Sequence, residues 1–327
     1  PGPSPTLPRM LVVDRVHKSF GKHAAVRGVS FELPRGQVVG LLGPNGAGKT
    51  TTIRMITGFL PPDQGRVLVN GHDTLDDSAA ARRSIGYLPE SAPLYPEMSV
   101  RGYLEYRGRL FAMPRRERRI AVDRVLTRCW LADVADRRIG PLSKGYKQRV
   151  GLAAALLHDP PVVILDEPSN GLDPTQISET RRLIAELGQT HTLLISSHIL
   201  PEVERTCTRV VIIIRGLVRA DGTPADLISR NTGPARITLE VRTTDDTLLR
   251  GVFASLPGVS FGSAAPAGDG WSAVTLLQQS GTDMREAIAA ACAARGLPLR
   301  ALARERSTLE GVFLSLLESG EAREASA

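Results

Sequence analysis

The chain has 327 residues, 42% of them hydrophobic, enough for two domains, or one large domain with an appendage, built around a real core. Its 41 Lys and Arg against 34 Asp and Glu leave a net charge of +7, which allows nucleic acid or an anionic membrane surface as a neighbour. Three widely spaced cysteines, Cys129, Cys207 and Cys292, exclude a disulfide framework or a metal-binding spacing and fit a reducing cytoplasm, and no apolar run reaches the roughly 18 residues of a membrane-spanning helix.

Residues 1–8 are proline-rich without an apolar core, so no signal peptide is expected and the stretch 1–9 is predicted to be disordered. Residues 10–16 and 28–33 read as strands on either side of a polar turn at Gly21. The apolar run 38–42 reads as a short buried strand. It stops at Gly43 and begins the spacing G-x-x-x-x-G-K-T, spelled Gly43, Pro44, Asn45, Gly46, Ala47, Gly48, Lys49, Thr50. A strand before and a helix after are the context a phosphate-binding loop requires. Gly43, Gly46 and Gly48 let the backbone curl so that successive N–H groups form an anion nest, and the helix beginning near Thr50 adds its positive end. Lys49 supplies a mobile cation for β- and γ-phosphates, and the Thr50 hydroxyl a ligand for Mg²⁺.

A strand at 65–70 and the turn pair Asn70-Gly71 follow, then a helix at 76–83 and a strand at 84–88 that ends at Pro89-Glu90. Residues 100–113 and 117–129 show helical spacing, with a dense set of arginines read as solvated helix faces. Helices are expected at 147–158, 178–189 and 201–207, and buried strands at 162–165 and 193–196. A hairpin at 210–215 and 217–220 turns around Gly216. Buried strands separated by helices predict an α/β sheet covered on both faces. A compositional shift at 229–234 marks a linker or boundary. The following order, βαββαβ over 235–303, is the ferredoxin-like arrangement. Ser307-Thr308-Leu309-Glu310 reads as a capping box that opens a last helix at 309–317, with a fraying tail beyond Ser319.

Asp166 and Glu167 end the apolar run 162–165. A carboxylate ending a buried strand beside the phosphate-loop strand can hold Mg²⁺ directly or through water, and the next one, Glu167, is placed to polarise a water for in-line attack on a γ-phosphate. Two such carboxylates can also cap a helix; the phosphate loop favours the metal and the base. Upstream, Leu142-Ser143-Lys144-Gly145-Tyr146-Lys147-Gln148-Arg149 opens a helix. Here the chain resembles the ATP-binding-cassette (ABC) transporter ATPases, whose signature is Leu-Ser-Gly-Gly-Gln; Lys144 and Tyr146 depart from it, while Ser143 and Gly145 remain. The resemblance implies that Ser143 and Gly145 bind the γ-phosphate of an ATP held by a second subunit. Ser169-Asn170-Gly171-Leu172-Asp173 resembles the family's D-loop, which crosses the dimer interface and brings Asp173 toward the nucleotide. Ser196-Ser197-His198 resembles its switch-histidine segment, with His198 sensing the γ-phosphate. Glu90 stands where the family carries the Q-loop glutamine, so its carboxylate faces Mg²⁺ or water and adds negative charge there. Phe20 matches the adenine-stacking aromatic, and Thr51 is expected near the α-phosphate.

The resemblance covers residues 10 to about 220. It implies an α/β P-loop NTPase cassette over 10–230, with a RecA-like core, an antiparallel β layer and a helical subdomain near 91–140. A small α+β accessory domain, ferredoxin-like, is expected at 235–318 and a disordered tail at 319–327. The segment STLEGVFLSLL resembles the C-terminal extension of type-2 ABC exporter ATPases, and the run 142–160 is most similar to the gliding-motility-associated branch. The implied activity is ATP hydrolysis with Lys49, Glu167 and His198 as catalytic residues and Thr50, Asp166 and Glu90 toward Mg²⁺. Two copies would enclose two ATP head-to-tail and drive a separate polytopic permease from the cytoplasmic face of the membrane, as a peripheral subunit. No specific nucleic acid is expected. The alternative is a soluble ABC ATPase acting on ribosomes or DNA; such relatives usually carry two cassettes or a long coiled coil, and this chain shows one cassette and no heptad run. Residues 235–318 hold no His or Cys cluster, which favours a dimer-stabilising appendage over a sensor.

Overall fold

The computed structural model describes residues 8–231, 235–278, 283–304 and 308–324. The chain divides into two compact units, one reaching to Pro224 and the other spanning Ala225–Glu318.

The first unit opens with β1 (Arg9–Phe20) and β2 (His23–Pro34), whose side chains alternate between core and solvent as one-sided strands require. Arg9 already belongs to β1, so the predicted disordered stretch 1–9 is too long by its last residue; residues 1–7 lie outside the described ones. β3 (Val38–Leu42) is buried at every position and feeds α1 (Lys49–Ile56). β4 (Gln64–Val69) and β5 (His72–Asp73) complete an antiparallel sheet of order β2-β1-β4-β5. Then come α2 (Ser78–Arg83), β6 (Ile85–Leu88), α3 (Val100–Leu110) and α4 (Arg115–Arg128). A 3-10 turn (Ala132–Val134) precedes α5 (Lys144–Leu156), β7 (Val162–Asp166), α6 (Pro174–Gly188), β8 (Thr192–Ser197) and α7 (Leu200–Thr206). The hairpin β9 (Arg209–Ile214) and β10 (Leu217–Gly222) ends the series.

Two helices start before the apolar periodicity does. α5 begins at Lys144 rather than 147, because the Ser143 hydroxyl accepts the Tyr146 N–H (3.4 Å). α6 begins at Pro174 rather than 178. There the Asp173 carboxylate accepts the Gln176 N–H (2.9 Å), and the Gln176 side chain answers the Asp173 N–H (3.4 Å) in a capping box. Both caps consist of polar residues that hydrophobic spacing does not register.

The central sheet has the order β10-β9-β3-β8-β7-β6, parallel except for β10. This corrects one expectation: β7, which ends in Asp166, does not lie beside β3. β8 inserts between them, pairing with both. Apolar runs identify buried strands but not their lateral order, and a strand that comes later in the chain can take the inner place. One core joins the antiparallel layer to this sheet: Leu11, Leu33, Leu41, Ile53, Ile164 and Leu194 are all fully buried. Each contributes about 1.5–3 kcal/mol by leaving water.

Next comes α8 (Pro224–Asn231), which covers the first half of the stretch 229–234 read as a linker; 232–234 lie outside the described residues. There follow β11 (Ala235–Val241), α9 (Asp246–Ala254), β12 (Val259–Pro266), β13 (Ser272–Gln278), α10 (Arg285–Ala294), β14 (Leu299–Arg304) and α11 (Leu309–Glu324). The sheet order β12-β13-β11-β14, antiparallel throughout, is the ferredoxin-like one. Ile237, Leu239, Phe253, Leu276 and Ile288 form its core. α11 is capped by Thr308, whose hydroxyl accepts the Gly311 N–H (3.2 Å). That places the cap one residue later than the expected box, whose Ser307 lies outside the described residues. α11 also continues to Glu324, past the expected end at 317 and into the stretch expected to fray; 325–327 lie outside the described residues. The three cysteines are buried free thiols. Among the described residues no helix is long and apolar enough to cross a membrane.

Candidate functional site

Four chain segments meet at the carboxyl ends of β3, β8, β7 and β6, where ligands bind in open parallel sheets. The loop after β3 turns tightly, with the Ala47 N–H donating to the Pro44 carbonyl (3.1 Å). Gly48 has φ +102°, and a Cβ there would stand 2.5 Å from the Ala25 carbonyl oxygen, so no other residue fits this bend. Lys49 is 7% exposed. Its ammonium folds back over the loop and donates to the carbonyls of Gly43 (2.6 Å) and Pro44 (3.3 Å). Burial lowers its pKa, against the raising influence of Glu167, Asp166 and Glu90. A buried cation that caps its own loop is positioned to exchange those carbonyls for phosphate oxygens.

Asp166 is buried at the end of β7 and accepts a short hydrogen bond from the Ser196 hydroxyl. Burial raises its pKa; the Ser196 bond and Lys49 oppose this, and Glu167 and Glu90 add to it. Glu167 follows with φ +49°, a left-handed conformation uncommon for a residue with a Cβ. Its N–H donates to both the hydroxyl (3.1 Å) and the carbonyl (3.2 Å) of Ser196, which hold the bend. The strained turn lets Asp166 stay buried while the Glu167 carboxylate faces the cavity. Glu167 Oε2 lies 2.7 Å from Nδ1 of His198. A carboxylate only accepts, so Nδ1 carries the proton of this bond. On the other side Asn170 Nδ2 donates to Glu90 Oε1 (2.8 Å).

These groups surround a cavity of about 560 Å³, within the range of small-molecule sites. From the loop, Pro44, Asn45, Gly46, Ala47, Gly48 and Lys49 line it, with Thr50 and Thr51 at the start of α1. Phe20, Glu90, Glu167 and His198 line it from other elements. Phe20 is 51% exposed, so it is no core residue. Gly43 and Asp166 stand behind this lining. Ser143, Gly145 and Asp173 are not part of it. Ser143 is exposed at the start of α5, Asp173 serves as the α6 cap, and Gly145 is buried where a Cβ would meet the Gln176 side chain at 2.5 Å. Lys144, the departure from the signature, lays its ammonium over Gly171.

His23 and Asn170 also line the cavity, and sequence reasoning missed them together with Ser196. Ser196 and Asn170 lay inside segments singled out for other residues, and His23 carried no signal. No three His, Cys, Asp or Glu side chains converge as metal ligands among the described residues, so Glu90, Asp166 and Glu167 do not form a preassembled cluster. The donors near the loop, the Thr50 hydroxyl and the carboxylates of Asp166 and Glu90, are all hard oxygens. That set suits Mg²⁺ once phosphate oxygens share the coordination.

The sequence model of the family described as ABC transporter matches residues 26–170. The daunorubicin resistance ATP-binding protein DrrA3 of Streptomyces coeruleorubidus is 35% identical over 310 residues, 94% of this chain and 95% of that protein. The linearmycin resistance ATP-binding protein LnrL of Bacillus subtilis (strain 168) is 37% identical over 241 residues, 73% of this chain and 78% of that protein. Among solved structures, a dimeric ATP-binding cassette in a post-hydrolysis state, bound to ADP and Pi, superposes with a TM-score of 0.60 at 26% identity, over 65% of this chain and 98% of that one. With the phosphate loop, the Asp166-Glu167 turn and His198 gathered at the carboxyl ends of one sheet's strands, this chain belongs to the ATP-binding, ATP-hydrolysing subunits of ABC transporters.

Proposed function

We propose that this chain is the motor subunit of an exporter in which two copies meet head-to-tail around two ATP molecules. The observation that carries this reading is the division of the site: one protomer gathers Lys49, Glu167 and His198 around the cavity but leaves Ser143 exposed and away from it. A second copy facing the first supplies what is absent. The solved relative described as dimeric supports the assembly. The relatives named for daunorubicin and linearmycin resistance support an exporter.

In this mechanism the loop N–H groups and Lys49 take the β- and γ-phosphates, Phe20 stacks on adenine and Thr51 sits near the α-phosphate. Thr50, Asp166 and Glu90 would hold Mg²⁺, which when bound would neutralise phosphate charge. Glu167, fixed by Ser196 and His198, accepts the proton of the attacking water, and His198 presents Nε2 to the γ-phosphate side. Ser143 and Gly145 of the partner copy close over that phosphate, with Asp173 at the interface. Closure pulls on a polytopic permease held by the helical subdomain near 91–140, with the chain peripheral on the cytoplasmic face. No nucleic acid is required.

Mixing two dead variants tests this. Lys49→Ala and Ser143→Ala each lose turnover alone. In a head-to-tail pair of one of each, one composite site keeps both residues, and hydrolysis returns on mixing. If the mixture stays inactive while both variants fold and exchange subunits, the division of the site across two copies is wrong. Co-sedimentation with ribosomes or salt-sensitive DNA binding would point to the soluble alternative.

A further inference from the structure

α4 ends in a way that its sequence does not favour. The Leu131 N–H donates to the Leu126 carbonyl (2.8 Å) and the Trp130 N–H to the Thr127 carbonyl (3.2 Å), the two bonds that close a helix around a left-handed residue. That residue is Trp130, with φ +53°. Glycine takes this conformation without strain, whereas a bulky aromatic is uncommon there. A strained position that persists points to a task for its side chain. Two guanidiniums lie over the indole: Arg149 of α5 at 5.5 Å and Arg182 of α6 at 5.0 Å from the ring centre, both within cation–π range.

Arg149 continues the chain of contacts. It forms an ion pair with Glu179 of α6 and lies 5.5 Å from the Tyr146 ring centre. The Tyr146 hydroxyl donates to the Asp133 carboxylate (3.1 Å), in the 3-10 turn that follows Trp130. Gln148 Nε2 donates to the Pro168 carbonyl (3.3 Å). α5 is thus tied to residues 130–133 through Tyr146 and Arg149, and to α6 through Arg149. α5 opens at Ser143 and α6 at Asp173, the two residues assigned to the interface with a second copy. Trp130, Tyr146, Arg149 and Arg182 do not line the nucleotide cavity. Tyr146, one of the departures from the family signature, therefore belongs to a contact set built from this chain's own residues. That set is joined to both interface caps and stands apart from the phosphate loop.

We propose that Trp130 is a positioning residue: with Tyr146 and Arg149 it clamps the start of α5, so that the Ser143 hydroxyl stands where the ATP held by a second copy needs it. This rests on the head-to-tail reading of the site. Trp130 touches no nucleotide and acts through Ser143. Hydrolysis of the ATP bound by the neighbouring copy therefore depends on it, while ATP binding in the cavity of its own chain does not. A hydroxyl displaced by even an ångström or so no longer serves the reacting phosphate, so the rate is sensitive to the clamp.

The test uses the full chain and Trp130→Gly, because glycine suits φ +53° and relieves the strain as the ring contacts are lost, so the fold survives. In the pure variant kcat falls about tenfold while KM for ATP stays within about twofold. Trp130→Phe, which keeps a π face for the guanidiniums, restores most of the rate. The variants are then combined with the mixing experiment. In a pair of Lys49→Ala and Ser143→Ala, the one intact composite site takes Ser143 from the Lys49→Ala chain. Trp130→Gly added to that chain lowers the recovered hydrolysis about tenfold; added to the Ser143→Ala chain it leaves the rate within about twofold. If Trp130→Gly does not fold, Tyr146→Phe, which loses only the hydroxyl that reaches Asp133, shows the same dependence on placement at about threefold. Equal loss from either placement, no loss from both, or a loss in KM alone overturns the inference, since Trp130 is then a residue of the fold only. Hydrogen exchange separates the clamp from the two-copy reading. Ser143 accepts the N–H groups of Tyr146 (3.4 Å) and Lys147 (3.0 Å). Trp130→Gly speeds exchange of these two amides about tenfold and leaves that of Thr52 in α1 unchanged. If this exchange result holds while the mixture of Lys49→Ala and Ser143→Ala stays inactive without any change at Trp130, the two-copy site fails and the clamp on Ser143 stands. Unchanged exchange at Tyr146 and Lys147 overturns the clamp.

Discussion

Asp166 is a carboxylate that the ligand-free fold holds at a loss, and Asp166→Asn exposes this. The side chain is 3% exposed, with one hydrogen bond from Ser196, two negative neighbours in Glu167 and Glu90, and one cation, Lys49. Burying an ion carries a penalty of several kcal/mol, of which a hydrogen bond to a charged group returns about 1.5–3 kcal/mol. With Lys49 returning a further part, a residue of about 1–2 kcal/mol against the folded state is left. Asparagine keeps the shape and the oxygen facing Ser196 without the charge. The nucleotide-free variant therefore unfolds at a midpoint about 2–8 °C higher at pH 7. The pH dependence has a definite sign. The folded-state pKa lies above the ordinary 3.8, so the penalty is absent below pH 3.8, where both states are protonated, and develops as pH rises through the folded-state value. The advantage of the variant grows over that window and then holds. His158, held at about 4 against an ordinary 6.5, removes stability as pH falls from 6.5, but equally in both proteins, so the difference isolates Asp166. Thermal scans of both proteins across pH, with and without MgATP, provide the check. MgATP raises the stability of the parent more than that of the variant if Asp166 reaches the metal. A variant less stable than the parent at neutral pH, or a difference independent of pH, would refute the reasoning.

Ser143→Ala removes a long capping bond of 3.4 Å, so stability falls by only about 0.5 kcal/mol. Turnover drops on the order of a hundredfold if the hydroxyl meets a phosphate across the interface; paired thermal and ATPase measurements separate the two effects. Gly145→Ala places a methyl 2.5 Å from the Gln176 carboxamide. Losing the Gln176 arm of the α6 cap costs roughly what alanine gains over glycine in a helix, about 0.5–1 kcal/mol, so the melting midpoint stays close to the parent while ATPase activity falls. Asp221→Ala strips a bidentate partner from the half-buried Arg209 (2.7 and 2.6 Å), leaving it the Glu32 carbonyl, and lowers stability by about 2 kcal/mol in urea denaturation. Phe20→Ala leaves stability unchanged, because the ring is 51% exposed, but raises the KM for ATP about tenfold if the ring stacks on adenine.

The elements of this chain were legible wherever apolar spacing carries the information. β3, β7 and β8 are continuous buried runs and read directly as strands. Lateral order was not legible: β8 lies between β3 and β7 because hydrogen bonding between strands distant in sequence decides it, and each run is equally apolar on both sides. Hydrophobic spacing misses helix starts where polar caps precede it: at Ser143 the motif marked the start and the spacing did not, and at Asp173 nothing marked it. The glycine, lysine and threonine of the phosphate loop announce themselves because the chemistry admits few alternatives. Asn170 and Ser196 do not, because an amide or a hydroxyl does its work here only through what the fold brings within 3 Å or so of it.

Ser196 shows why that second kind of residue matters. Its hydroxyl donates to Asp166 and accepts from the Glu167 N–H, and its carbonyl accepts that same N–H. Three contacts from one residue of β8 thus hold the Asp166 carboxylate at the end of β7 and the left-handed bend at Glu167 that follows it. In the loop after β7, Asn170 donates to Glu90 beside the same cavity. Nucleotide entering between Lys49 and Glu167 must therefore work against a prearranged bend rather than form one, which places the strain of Glu167 in the protein before the substrate arrives. Ser196→Ala separates positioning from chemistry: it leaves every carboxylate present but releases the Asp166 bond and one of the two bonds that hold the Glu167 N–H. Hydrolysis falls on the order of tenfold or more while ATP affinity stays near the parent value. A loss confined to ATP affinity, with turnover intact, would mean that the bend of Glu167 is held by something other than Ser196.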